Sequence, residues 1–223
     1  MSSRDDPELP GWLVALRDAA ALARPEQLSR FVPPDEGGRE SAVLVLFAEG
    51  EPGAGPDVLL IERAHDMRSH PGQVAFPGGA VDPGDEDVVA AALREAVEET
   101  GLDPAGVEVF AVLPALFLPP SGFVVTPVLG WWRDPSPIAV VDPREVASVH
   151  RIPVRDLVDP ANRLRVTHPS GYVGAAFRVG GLLVWGFTAG LLDRFLRLAG
   201  WERPWDLDRL EDLPPEITAT GRR

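Results

Sequence analysis

The sequence predicts one domain of the α/β (α+β) class, a sandwich built on a mixed sheet. Three observations carry this. Ser41–Ala48 (SAVLVLFA) is a continuous apolar, β-branched run that reads as a buried strand. The turn-rich text GEPGAGPD joins it to a second such run, Asp57–Arg63, as a hairpin. A helical pattern over Asp85–Thr100 then lies between strand patterns. The chain has 223 residues, 45% hydrophobic and 25% charged, enough for one domain with a substantial core. Residues 1–35 are expected to form an N-terminal helical extension, 36–200 the main domain and 201–223 a C-terminal tail.

The elements follow in order. Residues 8–24 read as an amphipathic helix, with breaks at Pro33-Pro34 and Gly37-Gly38. After the hairpin, Gln73–Phe76 is a short strand that ends at Pro77-Gly78-Gly79 and the loop AVDPGD. In the next helix Asp85 suits the N-cap, Glu86 and Asp87 the first turn and Gly101 the C′ position. Val89, Leu93, Ala96 and Thr100 form its core stripe. Strands are expected at Val107–Leu113, Val124–Trp132 and Ile138–Val141. Residues 143–157 read as a loop with a helical turn at Val154–Leu157. Arg163–Thr167, Tyr172–Val179 and Leu182–Trp185 read as strands and Thr188–Leu198 as the last helix. The Pro-rich tail after Gly200 is expected to be loosely held.

Composition excludes several classes. There are no cysteines, hence no disulfide and no thiolate zinc site. The N-terminal text lacks a basic start followed by an apolar run, and the apolar stretch Val179–Leu192 falls short of the roughly 20 residues that span a bilayer. A cytoplasmic location is expected, and a homodimer is compatible with the sequence. The formal charge of -13 argues against nucleic acid or an anionic membrane as partner. It also repels any phosphate-bearing substrate, so a local cation is needed to reverse the field.

The chemistry concentrates in Arg94–Leu102, REAVEETGL. On a helix Glu95 and Glu99 lie one turn apart and project together, with Glu98 beside them. Like charges at this spacing destabilise a helix, and the C-terminal end of the macrodipole disfavours anions. Both penalties call for a compensating cation, and hard carboxylate oxygens select Mg²⁺ or Mn²⁺. Arg94, four residues before Glu98, is placed to pin that carboxylate. The plain alternative is a solvated acidic face. Against it stands the upstream Gly78-Gly79 turn, whose glycines permit close backbone approach or carbonyl coordination.

This stretch resembles the Nudix box: a glycine, five residues, an acid, a spacer, then Arg-Glu-aliphatic-x-Glu-Glu-x-Gly-aliphatic. The chain has Gly79, AVDPG, Asp85 and REAVEETGL. It departs in placing Asp85 where the general pattern has glutamate, and in a spacer one residue longer. The resemblance implies an α/β/α sandwich and a pyrophosphohydrolase. It implies Glu95, Glu98 and Glu99 as metal ligands, the Gly78 carbonyl as a further one, and Arg94 as the group that orients Glu98.

Upstream, LLIERAHDMRSHPGQVAFPGG (Leu59–Gly79) is similar to the signature of the coenzyme A pyrophosphatase branch, with Arg63, Ala64, Arg68, Gly72 and Phe76 in place. WGFTAGLL, Trp185–Leu192, resembles the closing helix of the same branch. That branch also tends to carry the longer spacer and the aspartate. The implied reaction splits coenzyme A into 3′,5′-ADP and 4′-phosphopantetheine. Arg63 and Arg68 suit phosphate anchoring through forked, charge-assisted bonds; surface pairing with Glu62 or Asp66 is the alternative. Gln73 and Phe76 complete the expected substrate contacts, with Gln73 free to face site or solvent. The water-activating base is Glu98 or, from a distant loop, Glu145. Another nucleoside diphosphate derivative (NADH, a nucleoside triphosphate or a dinucleoside polyphosphate) is the alternative substrate. A non-catalytic ligand sensor is the alternative function.

Overall fold

The structure, a computed structural model, describes residues 9–28, 37–67, 70–119 and 121–219. Two helices, α1 (Gly11–Ala21) and α2 (Pro25–Leu28), precede the hairpin of β1 (Arg39–Glu49) and β2 (Pro56–Arg63). Then come β3 (Val74–Ala75), β4 (Gly78–Ala80), helix α3 (Val88–Thr100), β5 (Val107–Val112), β6 (Leu116–Leu118) and β7 (Phe123–Trp132). β8 (Val146–Pro153) runs into the short helix α4 (Val154–Leu157). β9 (Arg163–Thr167), β10 (Val173–Val179) and β11 (Leu182–Val184) lead to α5 (Gly186–Leu198), β12 (Leu210–Asp212) and α6 (Pro215–Ala219).

The main sheet runs β3-β2-β1-β7-β5, with β4 also on β1, β6 on β7 and β8 on β2. β1 pairs antiparallel with β2 and parallel with β7 from Arg39↔Phe123 to Ala48↔Trp132, so the sheet is mixed. The continuous apolar run in β1 is explained by its central place, buried on both faces. Leu44, Leu46 and Ala48 meet Ala91, Ala92 and Ala96 of α3 on one face. Val45 and Phe47 meet Leu13 and Leu16 of α1 and Phe195 of α5 on the other. Helices on both faces make the α/β/α sandwich. A second sheet, β11-β10-β9-β12, extends the α1/α5 core through Phe177, Val179 and Val184. No helix among the described residues is long and apolar enough to cross a membrane.

Several expectations are corrected. α3 begins at Val88, and its cap is Asp87, whose Oδ1 accepts the N–H of Val89 at 2.9 Å and of Ala90 at 2.8 Å. Asp85 is therefore not the cap; its Oδ2 accepts the Asp82 N–H at 2.8 Å, one turn earlier in the loop. Gly101 does close the helix, in the left-handed region at φ 70°. The buried stripe of α3 is Ala91, Ala92, Ala96, Glu99 and Thr100, while Val89 and Leu93 are half-buried at its edge. Small alanines let the helix lie close on the sheet.

Ile138–Val141 is not a strand. It is tied to the end of α3 by Ala139 N–H to Thr100 C=O, 2.9 Å. Residues 146–153, read as loop, form β8, which pairs with β2 from Asp57↔Pro153 to Arg63↔Val146 with a bulge at the Arg63 end. Its apolar residues Val146, Val149 and Ile152 fall on both faces, so no alternation marks it.

The tail is fastened. β12 pairs in parallel with β9, and Leu213 is buried. Arg163 of β9 is fully buried, paired with Asp193 of α5 and with Glu202 at 3.1 Å, and its guanidinium lies 4.5 Å from the Trp205 ring centroid. A buried guanidinium needs such partners, and they bind tail, helix and second sheet together. For α3, Asp87→Ala is expected to lower stability by about 1 kcal/mol through loss of the cap, read as a shift in the urea unfolding midpoint.

Candidate active site

The site grows from the contact of β4 with β1 and α3. β4 runs antiparallel to β1 with Val43↔Gly78 and Ala42↔Gly79 in register. A Cβ on Gly78 would stand 2.3 Å from the Ala42 carbonyl oxygen, and one on Gly79 would stand 2.4 Å from Glu95 Oε1. At Gly78, whose φ is 157°, only glycine fits against that backbone, and at Gly79 a side chain would push the Glu95 carboxylate from its place. In return the Gly78 N–H donates to Glu99 Oε2 at 2.9 Å.

Arg94 joins this helix to the loop before it. Its Nε and Nη2 bind both oxygens of Asp85, each at 3.0 Å. Its Nη1 donates to Glu95 Oε1 at 3.0 Å and to Glu98 Oε2 at 3.1 Å, and Nη2 also reaches the Ala80 carbonyl at 3.0 Å. The fork on Asp85 is bidentate and charge-assisted, and it holds that carboxyl below its ordinary range. Asp85 thus serves Arg94, and through it two of the glutamates.

The three glutamates differ in surroundings. Glu98 is open, its side chain 58% exposed. Glu95 is partly buried, and burial raises its pKa against the pull of Arg94. Glu99 is 5% exposed, and burial pushes its carboxyl up to about 8. The Gly78 N–H and the charge of Arg63 pull it down, while the charges of Glu95 and Glu145 push it further up.

Arg63, at the end of β2, and Glu145, just before β8, face these glutamates across a cavity of about 330 Å³ floored by Gly78 and Gly79. Arg63 Nε is buried without a hydrogen-bond partner among the described residues. The Ala64 N–H donates to the Glu145 carbonyl at 2.9 Å, which ties the two segments together. Glu95, Glu98, Glu99, Arg94, Gly78, Arg63 and Glu145 are therefore brought together. Gln73 is not among the cavity residues: its Oε1 lies 3.1 Å from His70 Nδ1. Phe76 is 2% exposed and packs in the α1/α5 core, so the expected substrate contact of its ring is corrected to a structural one. Arg68 lies outside the described residues. Met67 and Asp82 also line the cavity. Sequence reading missed both, for neither sits at a position that periodicity or charge pairing marks.

A family model described as the NUDIX domain matches residues 38–172, more than half of the chain. The chain belongs to the Nudix family. Two curated relatives carry the name "Uncharacterized Nudix hydrolase NudL". The one from Enterobacter sp. (strain 638) is 42% identical over 161 residues, 69% of this chain and 79% of the relative. The one from Cronobacter sakazakii is 42% identical over 174 residues, 74% of this chain and 85% of the relative. The crystal structure of RenU, a Nudix hydrolase from M. smegmatis, superposes with a TM-score of 0.53 at 19% identity, covering 77% of this chain and 91% of that one, a likeness of fold.

The protein is a Nudix hydrolase acting on pyrophosphate bonds. In the metal-free Nudix site the Glu99 carboxyl keeps its proton to about pH 8, while the unfolded chain releases it near the ordinary value of 4.5. Between those values the folded state binds more protons than the unfolded one. The contribution of this group to stability is therefore largest below pH 4.5 and falls as pH rises toward 8. Glu99→Gln, neutral at every pH, is expected to flatten that decline. Urea midpoints at about pH 5 and about pH 8 in a chelating buffer check it, and an unchanged slope in the variant would assign the decline to another group.

Proposed function

We propose that this Nudix hydrolase cleaves the diphosphate of coenzyme A, or of a derivative, to 3′,5′-ADP and 4′-phosphopantetheine. One observation supports it above others. The segment that resembles the coenzyme A branch supplies Arg63, Met67, Gly78 and Gly79 to the same cavity as the α3 glutamates. A diphosphate lying there would meet an arginine whose Nε lacks a partner among the described residues.

The donors in the cavity suit Mg²⁺ or Mn²⁺ by their chemistry: hard carboxylate oxygens, two of them on groups whose burial disfavours charge without a counter-ion. No group of three acidic or histidine side chains among the described residues is already drawn together for a metal. Occupancy would thus draw the three carboxylates closer together. Glu95, Glu98, Glu99 and the Gly78 carbonyl would hold the ion. When bound, it would offset phosphate charge and acidify water.

The chain's own groups would do the rest. Arg63 would anchor a phosphate oxygen by a charge-assisted bond. Arg94 would position Glu95 and Glu98. Glu98, or Glu145 across the cavity, would take the proton of the attacking water. Its oxygen bonds to one phosphorus as the bridging P–O bond breaks, and the electron pair leaves on the other phosphate.

The reading is tested by rates on coenzyme A, NADH and 8-oxo-dGTP with Mg²⁺ and with Mn²⁺. Coenzyme A is expected among the best substrates, and a chelator to abolish turnover. Glu98→Gln is expected to cut kcat by about a hundredfold or more. Arg63→Ala is expected to lower kcat/KM by about 10- to 100-fold, chiefly through KM. A slow reaction on coenzyme A beside a fast one on NADH or 8-oxo-dGTP would overturn the substrate. Inactivity of the metal-loaded protein on all three would favour a sensor.

A further inference from the structure

The side chains around the cavity are nearly all charged: two arginines, four glutamates and an aspartate over a glycine floor. The exception is Met67, the sole apolar side chain on the lining among the described residues and one of two methionines in the chain, the other being Met1. Backbone bonds tie it to the described residues around it. The Met67 N–H meets the Ala64 carbonyl at 3.3 Å, Ala64 is tied to Glu145 at 2.9 Å, and Gly72 N–H returns to the Arg63 carbonyl at 3.1 Å. Met67 is half-buried, against the same space that Arg63 and Glu99 face.

Met67 joins none of the three apolar clusters among the described residues, so its partner is sought in the ligand. An unbranched thioether adapts its shape to a branched aliphatic surface. We infer that Met67 is a specificity-determining residue, packing against the branched aliphatic carbon that lies one methylene from the diphosphate of the substrate. This rests on the coenzyme A reading above. Coenzyme A has a ribose on one side of its diphosphate and, on the other, a methylene joined to a carbon bearing two methyl groups. NADH has a ribose on both sides. The contact therefore separates the two substrates at the atoms nearest the reaction, and the hydroxyl-rich ribose gains nothing from it.

Two measurements test this. Met67→Gln, of similar length but polar, is expected to lower kcat/KM on coenzyme A by about tenfold or more through KM, the scale of a small apolar contact, and to leave NADH within about twofold. Met67→Leu is expected to retain the coenzyme A rate. In protein labelled with [methyl-¹³C]methionine, the Met67 methyl resonance, assigned by its loss in Met67→Gln, is expected to shift with 4′-phosphopantetheine and Mg²⁺. It is expected to stay in place with 3′,5′-ADP. A coenzyme A to NADH ratio unchanged in Met67→Gln, or a resonance that moves only with 3′,5′-ADP or with neither product, overturns this inference alone. Coenzyme A left intact by the wild-type protein overturns the parent reading and this one with it.

Discussion

The backbone contact of Gly78 and Gly79 with β1 and α3 governs the geometry of the site. Without side chains at these two positions, β4 lies close on β1, Glu95 rests against Gly79 and the Gly78 amide reaches Glu99. A methyl at either place would have to displace the Ala42 carbonyl or the Glu95 carboxylate. The first would part β4 from β1 and the second would move a glutamate out of the site, while Ala91, Ala92 and Ala96 of the same helix pack on Leu44 and Leu46. The core and the functional edge of α3 thus share one constraint.

Charge is the second half of that constraint. Three carboxylates on the last turns of a helix cost free energy, and the structure meets the cost in two ways. Arg94 spans from Asp85 to Glu95 and Glu98, and so relieves repulsion on the outer side. On the inner side Glu99 has, among the described residues, the Gly78 N–H and the nearby charge of Arg63, and burial still keeps its ionisation unfavourable. The imbalance is local, and it lies at the end of the cavity where the metal is proposed. Structural ion pairs also perturb carboxyl groups, as where Arg178 lies 2.6 Å from Glu211 and holds that carboxyl below its ordinary range, whereas burial shifts Glu99 the opposite way.

Much of this was legible in the sequence, and the misses share a cause. The β1–β2 hairpin, the α3 carboxylates, Gly101 and the Arg94 contact with Glu98 are local in sequence, where periodicity and spacing speak directly. Asp87 and Asp85 both precede the same apolar run, and nothing local decides between them. The choice falls to Arg94, which takes Asp85 into a fork nine residues away and leaves Asp87 to cap. β8 and β12 are stabilised by partners far along the chain, so their own text carries no strand pattern. Phe76 sits in a motif rich in site residues, yet its ring, like the Val74 side chain two residues before it, is buried in the α1/α5 core.

The strand that sequence reading missed also places the acid that it singled out. Glu145 enters the cavity because β8 pairs along β2, and because the Ala64 N–H holds its carbonyl at the bulged end of that pairing. Arg63, on the partner strand, arrives by the same register. The cavity therefore has two walls of separate origin: α3 with its glycine turn, and the β2–β8 end with the turn that carries Met67. The first presents Glu95, Glu98 and Glu99, and the second adds Arg63 and Glu145. The second is joined to it chiefly through space, across Glu99 and Arg63. Side chains on the second wall can change the proposed recognition of what flanks a diphosphate while the helix, its capping aspartate and its Arg94 fork stay as they are. That separation lets one fold keep a single hydrolytic edge and vary the substrate set against it.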